Sequence, residues 1–288
     1  MHAGFRIAGG SVPGRDHLGR GRLLVGRNNQ DAAGWWGTPQ VLVALVADGC
    51  GAGAHSEVGA HLCVRLLLAS LRRQFDPLPA ALATDGEAIT ALLATVHAEV
   101  LAQLSHLAAQ MGECPDQTIR DLLLCTLLGT LITPTQTVVF AIGDGVYILN
   151  GQVTRIGPFA GNAPPYLAYA LPGAAACPPD LADAARQFQI LTAVPTAQVE
   201  SLLLATDGLL DLIERAGEPL PGRAELLGSV AQFWENARYL DNPDAIRRRL
   251  ALANSQALRP DGRVVPGLLP DDTTLLVMRR DQAEGGAT

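Results

Sequence analysis

The chain has 288 residues, enough for one large domain or two small ones and for an apolar core that needs no disulfides. Its residues are 48% hydrophobic and 17% charged, which is a globular composition. The formal net charge is -7 and lysine is absent, so we expect no nucleic-acid partner, because such binding depends largely on basic groups that neutralise phosphates.

The first elements in chain order are one strand and two helices. Residues 41–47 form a continuous apolar run between Pro39 and Asp48, which predicts a buried strand. Residues 56–75 and 87–111 repeat apolar side chains at intervals of three and four, the spacing of amphipathic helices.

A meander of short strands follows. The Asn150-Gly151 pair predicts a type I′ hairpin between the last two of them. The predicted strands are 122–133, 137–142, 146–149 and 152–156.

Residues 157–185 are rich in Gly and Pro at their start and have no clean period, so we expect a long functional or mobile loop there. Strands are predicted at 188–194 and 201–205, helices at 223–239 and 243–257, and a final strand at 273–278. This order predicts a single α+β domain over residues 1–280, with helices covering largely antiparallel sheets, and a disordered tail over 281–288.

Other features concern location. No run of 18 uninterrupted apolar residues is present, and the N-terminus lacks a basic region followed by an apolar stretch, so we expect neither a membrane span nor a secretory signal. The cysteines are five in number and have no CxxC spacing, which disfavours a disulfide framework or a zinc site. We therefore expect a cytoplasmic protein.

The most informative pattern is an apolar strand that ends in Asp and is followed by Gly. It occurs at Asp48, Asp144 and Asp207, with further acids at Asp31 and at Asp271, which opens the last strand. A single Asp-Gly pair is usually a turn signal. If several such strand ends meet, their carboxylates repel unless cations neutralise them, and an all-oxygen cluster suits Mg²⁺ or Mn²⁺.

These motifs, in this order, resemble the metal-dependent protein phosphatases of the type 2C family. The motifs are Asn29-Gln30-Asp31, Val46-Ala47-Asp48-Gly49-Cys50-Gly51, Gly143-Asp144-Gly145, Ala205-Thr206-Asp207-Gly208 and residues 271–277. Residues 14–17 and 29–32 are similar to a bacterial branch that begins with Gly-x-x-His and Asn-Gln-Asp-Ala. The resemblance implies an α-β-β-α sandwich, in which two packed antiparallel sheets are each flanked by a helical pair.

The resemblance also assigns metal ligands. It implies that Asp48 bridges two metal ions and that the Gly49 carbonyl binds the second ion. It also implies that Asp207 and Asp271 are the remaining side-chain ligands of the first ion. Asp144 corresponds to an acid of a third, weaker metal site.

Asp31 corresponds to an acid that orients water, so the implied catalytic residues are Asp31, Asp48 and Asp207. Asp272 stands where an Asn is common, which favours a supporting role, and Gln30 stands where some members have Glu.

The implied activity is hydrolysis of phosphoserine and phosphothreonine by a water that two Mn²⁺ or Mg²⁺ ions activate. The implied partner is a phosphorylated protein, the target of a serine/threonine kinase, and no membrane is involved.

The sequence departs from the family at two positions. The position five residues before Asp31, where the family usually has a phosphate-binding Arg, is Gly26, which leaves Arg27, His17 or Arg22 as candidates. Cys50 stands where some members have a proton-donating His. Residues 157–185 replace the family's variable flap, and Asn162 within them is a candidate substrate contact.

Two other functions stay open. A degenerate phosphatase domain would bind a phosphoprotein as a regulatory module with weak or no catalysis. A different metal hydrolase would act on small phosphoesters, although no glycine-rich phosphate loop of a nucleoside triphosphatase is present.

Overall fold

Two five-stranded antiparallel sheets form the centre of the computed structural model, which describes residues 2–18, 27–75, 86–174, 177 and 179–281. In chain order the strands are β1 (Phe5–Val12), β2 (Ala32–Gly37), β3 (Leu42–Ala47), β4 (Leu127–Ile132), β5 (Gln136–Ile142), β6 (Gly145–Leu149), β7 (Gln152–Ile156), β8 (Gln189–Pro195), β9 (Ser201–Ala205), β10 (Ala257–Leu258), β11 (Val264–Val265) and β12 (Thr273–Arg280). The first sheet has the order β1-β12-β9-β6-β7 and the second β2-β3-β4-β5-β8, while β10 and β11 form a separate small hairpin.

The helices lie outside the sheets. They are α1 (Glu57–Gln74), α2 (Gly86–Met111), α3 (Pro115–Thr118), α4 (Pro179–Ala184), α5 (Leu209–Glu214), α6 (Gln232–Glu235), α7 (Arg238–Asp241) and α8 (Ala245–Ala253). A single π-helical turn, Ile119–Leu123, follows α3 directly.

The strand β3 shows how the layers are built. Leu42, Ala44 and Val46 face the first sheet, where they meet Leu204 and Met278 in the core between the sheets. The alternate residues of β3 face α1 and α2 in a second core. Because both faces of the strand are buried, its sequence is apolar throughout instead of alternating.

The outer face of the first sheet packs on the C-terminal helices. Val146, Leu203 and Leu275 meet Ile246 and Leu250 of α8 in a third core. The predicted α-β-β-α sandwich is therefore confirmed, although short helices cover this sheet where a long pair covers the other.

The helix α2 is long and apolar enough to cross a membrane, with a mean hydropathy of 1.4. It packs against α1, and Leu93, Val96 and Val100 on its apolar face are buried in the core beside the second sheet. This placement makes α2 a core helix of the sandwich.

Several local predictions differ from the structure. The predicted strand 122–133 begins only at Leu127, because the π turn occupies the preceding residues. The predicted helix 223–239 is wrong over most of its length: residues 223–231 contain no helix, Gly228 has φ +82°, and only the one-turn helices α6 and α7 form. The predicted helix 243–257 ends at Ala253, and the predicted loop 157–185 contains the helix α4. The strands β1, β2, β10 and β11 and the helices α3 and α5 had no predicted counterpart.

The predicted tail lies outside the described residues except for Asp281, whose N–H donates to the Gly4 carbonyl at 2.9 Å. Its disorder, and the single-domain division of the chain, stay predictions.

Candidate active site

Three of the predicted acids lie at one end of the second sheet. Asp31 directly precedes β2 and Asp48 directly follows β3, and the antiparallel register pairs Ala32 with Ala47 between them. Asp144 occupies the turn between β5 and β6. The pairing of β2 with β3, of β3 with β4 and of β4 with β5 therefore brings Asp144 to the same edge as acids about a hundred residues earlier in the sequence.

The other two predicted acids come from the first sheet. Asp207 follows β9 and Asp271 precedes β12, where Ala205 pairs with Leu275. Burial is the largest cause of the raised pKa of Asp48, and the neighbouring carboxyl groups of Asp31, Asp207, Asp271 and Asp144 raise it further. Acids from both sheets therefore lie close to this one carboxyl group. The site lies where the ends of the two sheets meet.

A cavity of about 390 Å³ opens at this meeting point. The predicted site residues that line it are His17, Asp48, Gly49, Asp144, Asn162, Asp207 and Asp271. Asp31 lies beneath the cavity and is buried, whereas Asp271 is exposed at its mouth.

Glycines let the backbone come close at this edge. A Cβ atom on Gly49 would lie 2.8 Å from the Gln30 carbonyl oxygen, and one on Gly208 would lie 2.1 Å from the Asp272 carbonyl oxygen. Gly143 and Gly145, on either side of Asp144, have φ values of +96° and +143°. Larger residues at these positions would displace the acids beside them.

Burial and mutual repulsion disfavour the charged form of these acids. Burial, followed by the neighbouring Asp272, raises the pKa of Asp31 to about 8. Burial and four nearby carboxylates raise the pKa of Asp48 well above its usual range. Burial and then Asp207 raise the pKa of Asp144 to about 6.

The donor set fits a divalent cation. Asp31 accepts a hydrogen bond from Thr206 Oγ1 at 2.8 Å through Oδ2, while its buried Oδ1 has no hydrogen-bond partner among the described residues. A buried carboxylate oxygen without a partner is costly unless a ligand satisfies it. Carboxylates and a backbone carbonyl are the oxygens that Mg²⁺ and Mn²⁺ prefer, so Asp48, Asp207, Asp271 and the Gly49 carbonyl could hold such ions.

Asp272 is a structural support of the site. Its Oδ1 accepts hydrogen bonds from the Gly14 N–H at 2.6 Å and from His17 Nδ1 at 2.9 Å, and its Oδ2 accepts from the Gln30 N–H at 2.5 Å. His17 Nε2 is also 3.8 Å from Asp271 Oδ1. The buried carboxylate thus ties the 13–17 segment to the residue before Asp31.

The predicted substrate contacts lie at the rim. Arg27 is exposed and its Nη1 donates to the Gly51 carbonyl at 2.6 Å, and Gly51 lines the cavity. Asn162, in a 3₁₀ turn (Ala160–Asn162), lines the opposite side. Gly26 and Arg22 lie outside the described residues.

Two further lining residues were not among the predicted site residues. Thr126 lines the cavity, and its N–H donates to the Asp48 carbonyl at 2.8 Å. Tyr166 is buried, lines the cavity and makes a side-chain hydrogen bond with Cys50. Tyr166 stands in the stretch 162–167, for which the sequence left open a substrate contact or a rigid loop, and Thr126 carries no local signal.

The raised pKa values predict an unusual pH dependence for the metal-free protein. An acid whose pKa is higher in the folded state stabilises the fold below its unfolded-state pKa, about 4, and loses that contribution as pH rises through the folded-state pKa. Here the loss runs through about 6 for Asp144 and about 8 for Asp31. We expect the melting temperature in EDTA to fall steadily between about pH 5 and about pH 9.

Thermal melts in EDTA and in Mn²⁺ measure this effect. Mn²⁺ should reverse the decline, because it neutralises the carboxylates. The Asp31→Asn variant in EDTA should show a shallower decline than the parent. A melting temperature in EDTA that does not change over this pH range would contradict the expectation.

Comparison with known proteins identifies the family and the fold. A family model described as Protein phosphatase 2C matches residues 18–251. A crystal structure of a bacterial serine phosphatase has a TM-score of 0.51 at 15% identity and covers 96% of this chain and 98% of that one. The serine/threonine phosphatase Stp1 from Staphylococcus aureus has a TM-score of 0.52 at 14% identity and covers 96% of this chain and 95% of that one. These two likenesses show the fold; no curated protein matches by sequence.

Proposed function

Because the chain belongs to the protein phosphatase 2C family, we propose that it is a metal-dependent serine/threonine protein phosphatase. The observation that carries the proposal is the group of four aspartates that line one cavity, with Asp31 buried close to them, because their charges need cations to be stable together. Its substrate would be a phosphoprotein made by a serine/threonine kinase. We place it in the cytoplasm, because its five cysteines are odd in number and have no CxxC spacing.

In this proposal Asp48, Asp207, Asp271 and the Gly49 carbonyl hold two ions, with Asp144 near a third. When bound, the ions supply a nucleophile of lowered pKa from water and neutralise charge on the phosphoryl oxygens. The donor set indicates Mn²⁺ or Mg²⁺.

The chain's own residues position the reactants. The Oδ1 of Asp31, which has no hydrogen-bond partner in the described part of the chain, accepts a hydrogen bond from the attacking water, and the bond from Thr206 to Oδ2 fixes the orientation of that carboxylate. Asp272 holds His17 at the cavity wall, where the imidazole can contact the phosphoryl group. Arg27 and Asn162 contact the substrate from the rim.

Hydrolysis assays test the function. We expect a chromogenic aryl phosphate and a phosphothreonine peptide to release phosphate with Mn²⁺ or Mg²⁺, and neither to do so in EDTA. Activity that persists in EDTA would refute the metal-dependent mechanism.

The regulatory alternative predicts a different result. A binding module would be silent with every metal while calorimetry still detected Mn²⁺ and the phosphopeptide. Such an outcome would indicate that Gly26 and Cys50, the positions where the chain departs from the family, account for the missing activity.

Arg27 offers a test of substrate binding. Removal of its guanidinium deletes a charge-assisted contact, worth about 1.5 kcal/mol, so Arg27→Ala should raise KM for the phosphopeptide roughly tenfold with little change in kcat. Arg259→Ala, at an exposed position between the short strands β10 and β11, is the control. If the two variants have equal KM values, Arg27 has no role in binding.

A further inference from the structure

A second cavity, of about 590 Å³, lies beside the candidate active site. The residues that line both cavities are Cys50, Ala52, Gly161, Asn162 and Tyr166. The second cavity therefore continues from the first as a groove and contains none of the five aspartates of the site.

The walls of this groove differ in character from those of the first cavity. One wall consists of α3, the π turn and the residue after it, where the buried side chains of Ile119 and Leu124 contribute apolar surface. The other wall consists of Tyr166, Tyr169 and Ala174. The rings of the two tyrosines pack edge to face, with their centroids 5.3 Å apart. A π turn is rare and is often found at functional sites.

The rim of the groove is weakly acidic. Asp116 and Asp121 stand there with Arg120, whose Nε is 3.3 Å from Asp116 Oδ2. Asp121 accepts a side-chain hydrogen bond from Gln117 at 3.4 Å. Two carboxylates and one guanidinium leave one net negative charge beside an apolar floor.

We propose that this groove binds the polypeptide that flanks the phosphorylated residue and takes a large apolar side chain of that segment. The inference rests on the proposed function, because it extends the same site. Continuity with the first cavity places the groove within reach of the residues next to the phosphoryl group, and the apolar floor gains by burying a side chain such as Leu. The rim charge disfavours an acidic residue at the same position.

Phosphothreonine peptides measure this preference. In a set with Leu, Ser or Glu placed in turn at each position within about three residues of the phosphothreonine, burial of Leu should give roughly a tenfold higher kcat/KM than Ser at one position. Glu should be the poorest there. The aryl phosphate, which occupies only the first cavity, serves as the reference substrate.

Two variants fill the groove. Ala174→Phe projects a ring from one wall, and Gln117→Trp adds a ring at an exposed position of the other. Both should reduce the Leu-to-Ser preference to about twofold or less, with unchanged hydrolysis of the aryl phosphate. Ala251→Phe, at an exposed position of α8, should keep the full preference.

The outcomes separate this inference from the proposed function. The proposed role of the groove would be wrong if the aryl phosphate is hydrolysed but all peptides react at equal rates. It would also be wrong if both variants fold and keep the preference for Leu over Ser. If no phosphoester is hydrolysed, the proposed phosphatase function is wrong. Fluorescence anisotropy with the same peptides then tests, independently of catalysis, whether the groove binds them. Tighter binding of the Leu peptide that either variant abolishes would support it, and equal binding would overturn it.

Discussion

The Asp48→Asn variant should lose roughly a thousandfold or more in kcat/KM toward a phosphothreonine peptide, while its metal-free form melts at a higher temperature than the parent. Asp48 is the carboxylate on which the other acids converge, and its pKa is raised by burial and by Asp31, Asp207, Asp271 and Asp144. An amide keeps the shape and needs no proton to be neutral, so the cost of burying this group among the other acids disappears together with the proposed metal ligand.

The two effects need separate measurements. Steady-state kinetics with Mn²⁺ gives the loss of activity, and thermal melts in EDTA and in Mn²⁺ give the change in stability. Asp183→Asn, on α4, is the control, because that carboxylate is exposed and pairs only locally with Arg186 at 3.1 Å. An Asp48→Asn variant with parental activity, or one that melts lower in EDTA, would contradict the assignment.

The Asp272→Ala variant should lower the free energy of unfolding by about 3 kcal/mol. Burial raises the pKa of Asp272 even though the N–H groups of Gly14 and Gln30 lower it, so the site holds this charge at a cost. Its removal leaves two buried N–H donors without an acceptor, at about 1–3 kcal/mol each, partly offset by relief of the buried charge.

Asp272→Asn is the matched variant. Its single carbonyl oxygen can accept from one of the two N–H groups, so we expect about half of the loss in urea unfolding experiments. The alanine variant should also lose activity, because the 13–17 segment that carries His17 is no longer tied to Gln30. Equal stability of the parent and both variants would show that water replaces the carboxylate.

The buried strands could be predicted from sequence because burial on both faces leaves a continuous apolar run, as in β3. The hairpin turn could be predicted because its type demands positive φ, which Asn150 and Gly151 adopt at +50° and +83°. Strand β1 has no such signal: Gly9 and Gly10 replace side chains that would meet Leu276 and the backbone of α8. Close packing at those positions selects residues of low strand propensity.

For the candidate site, the sequence could predict which acids are involved but not their surroundings. The Asp-Gly pairs indicated which acids could meet, because an Asp directly after a strand lies at the end of the sheet to which that strand belongs. No local pattern could show that Asp31 is buried with one oxygen partnerless, or that Tyr166 reaches Cys50, because both depend on segments far apart in sequence. Arg27 could be proposed only from its position relative to Asp31, and the structure adds its contact with Gly51.

The order of strands in the first sheet has a consequence for biosynthesis. β12, the last described strand, lies between β1, the first, and β9. A nascent chain on the ribosome therefore cannot assemble this sheet, or bring Asp271 to the other acids, until residue 280 has left the exit tunnel. A partly translated chain therefore lacks the complete first sheet, and a stop codon before residue 271 would remove Asp271 together with β12, the second strand of that sheet.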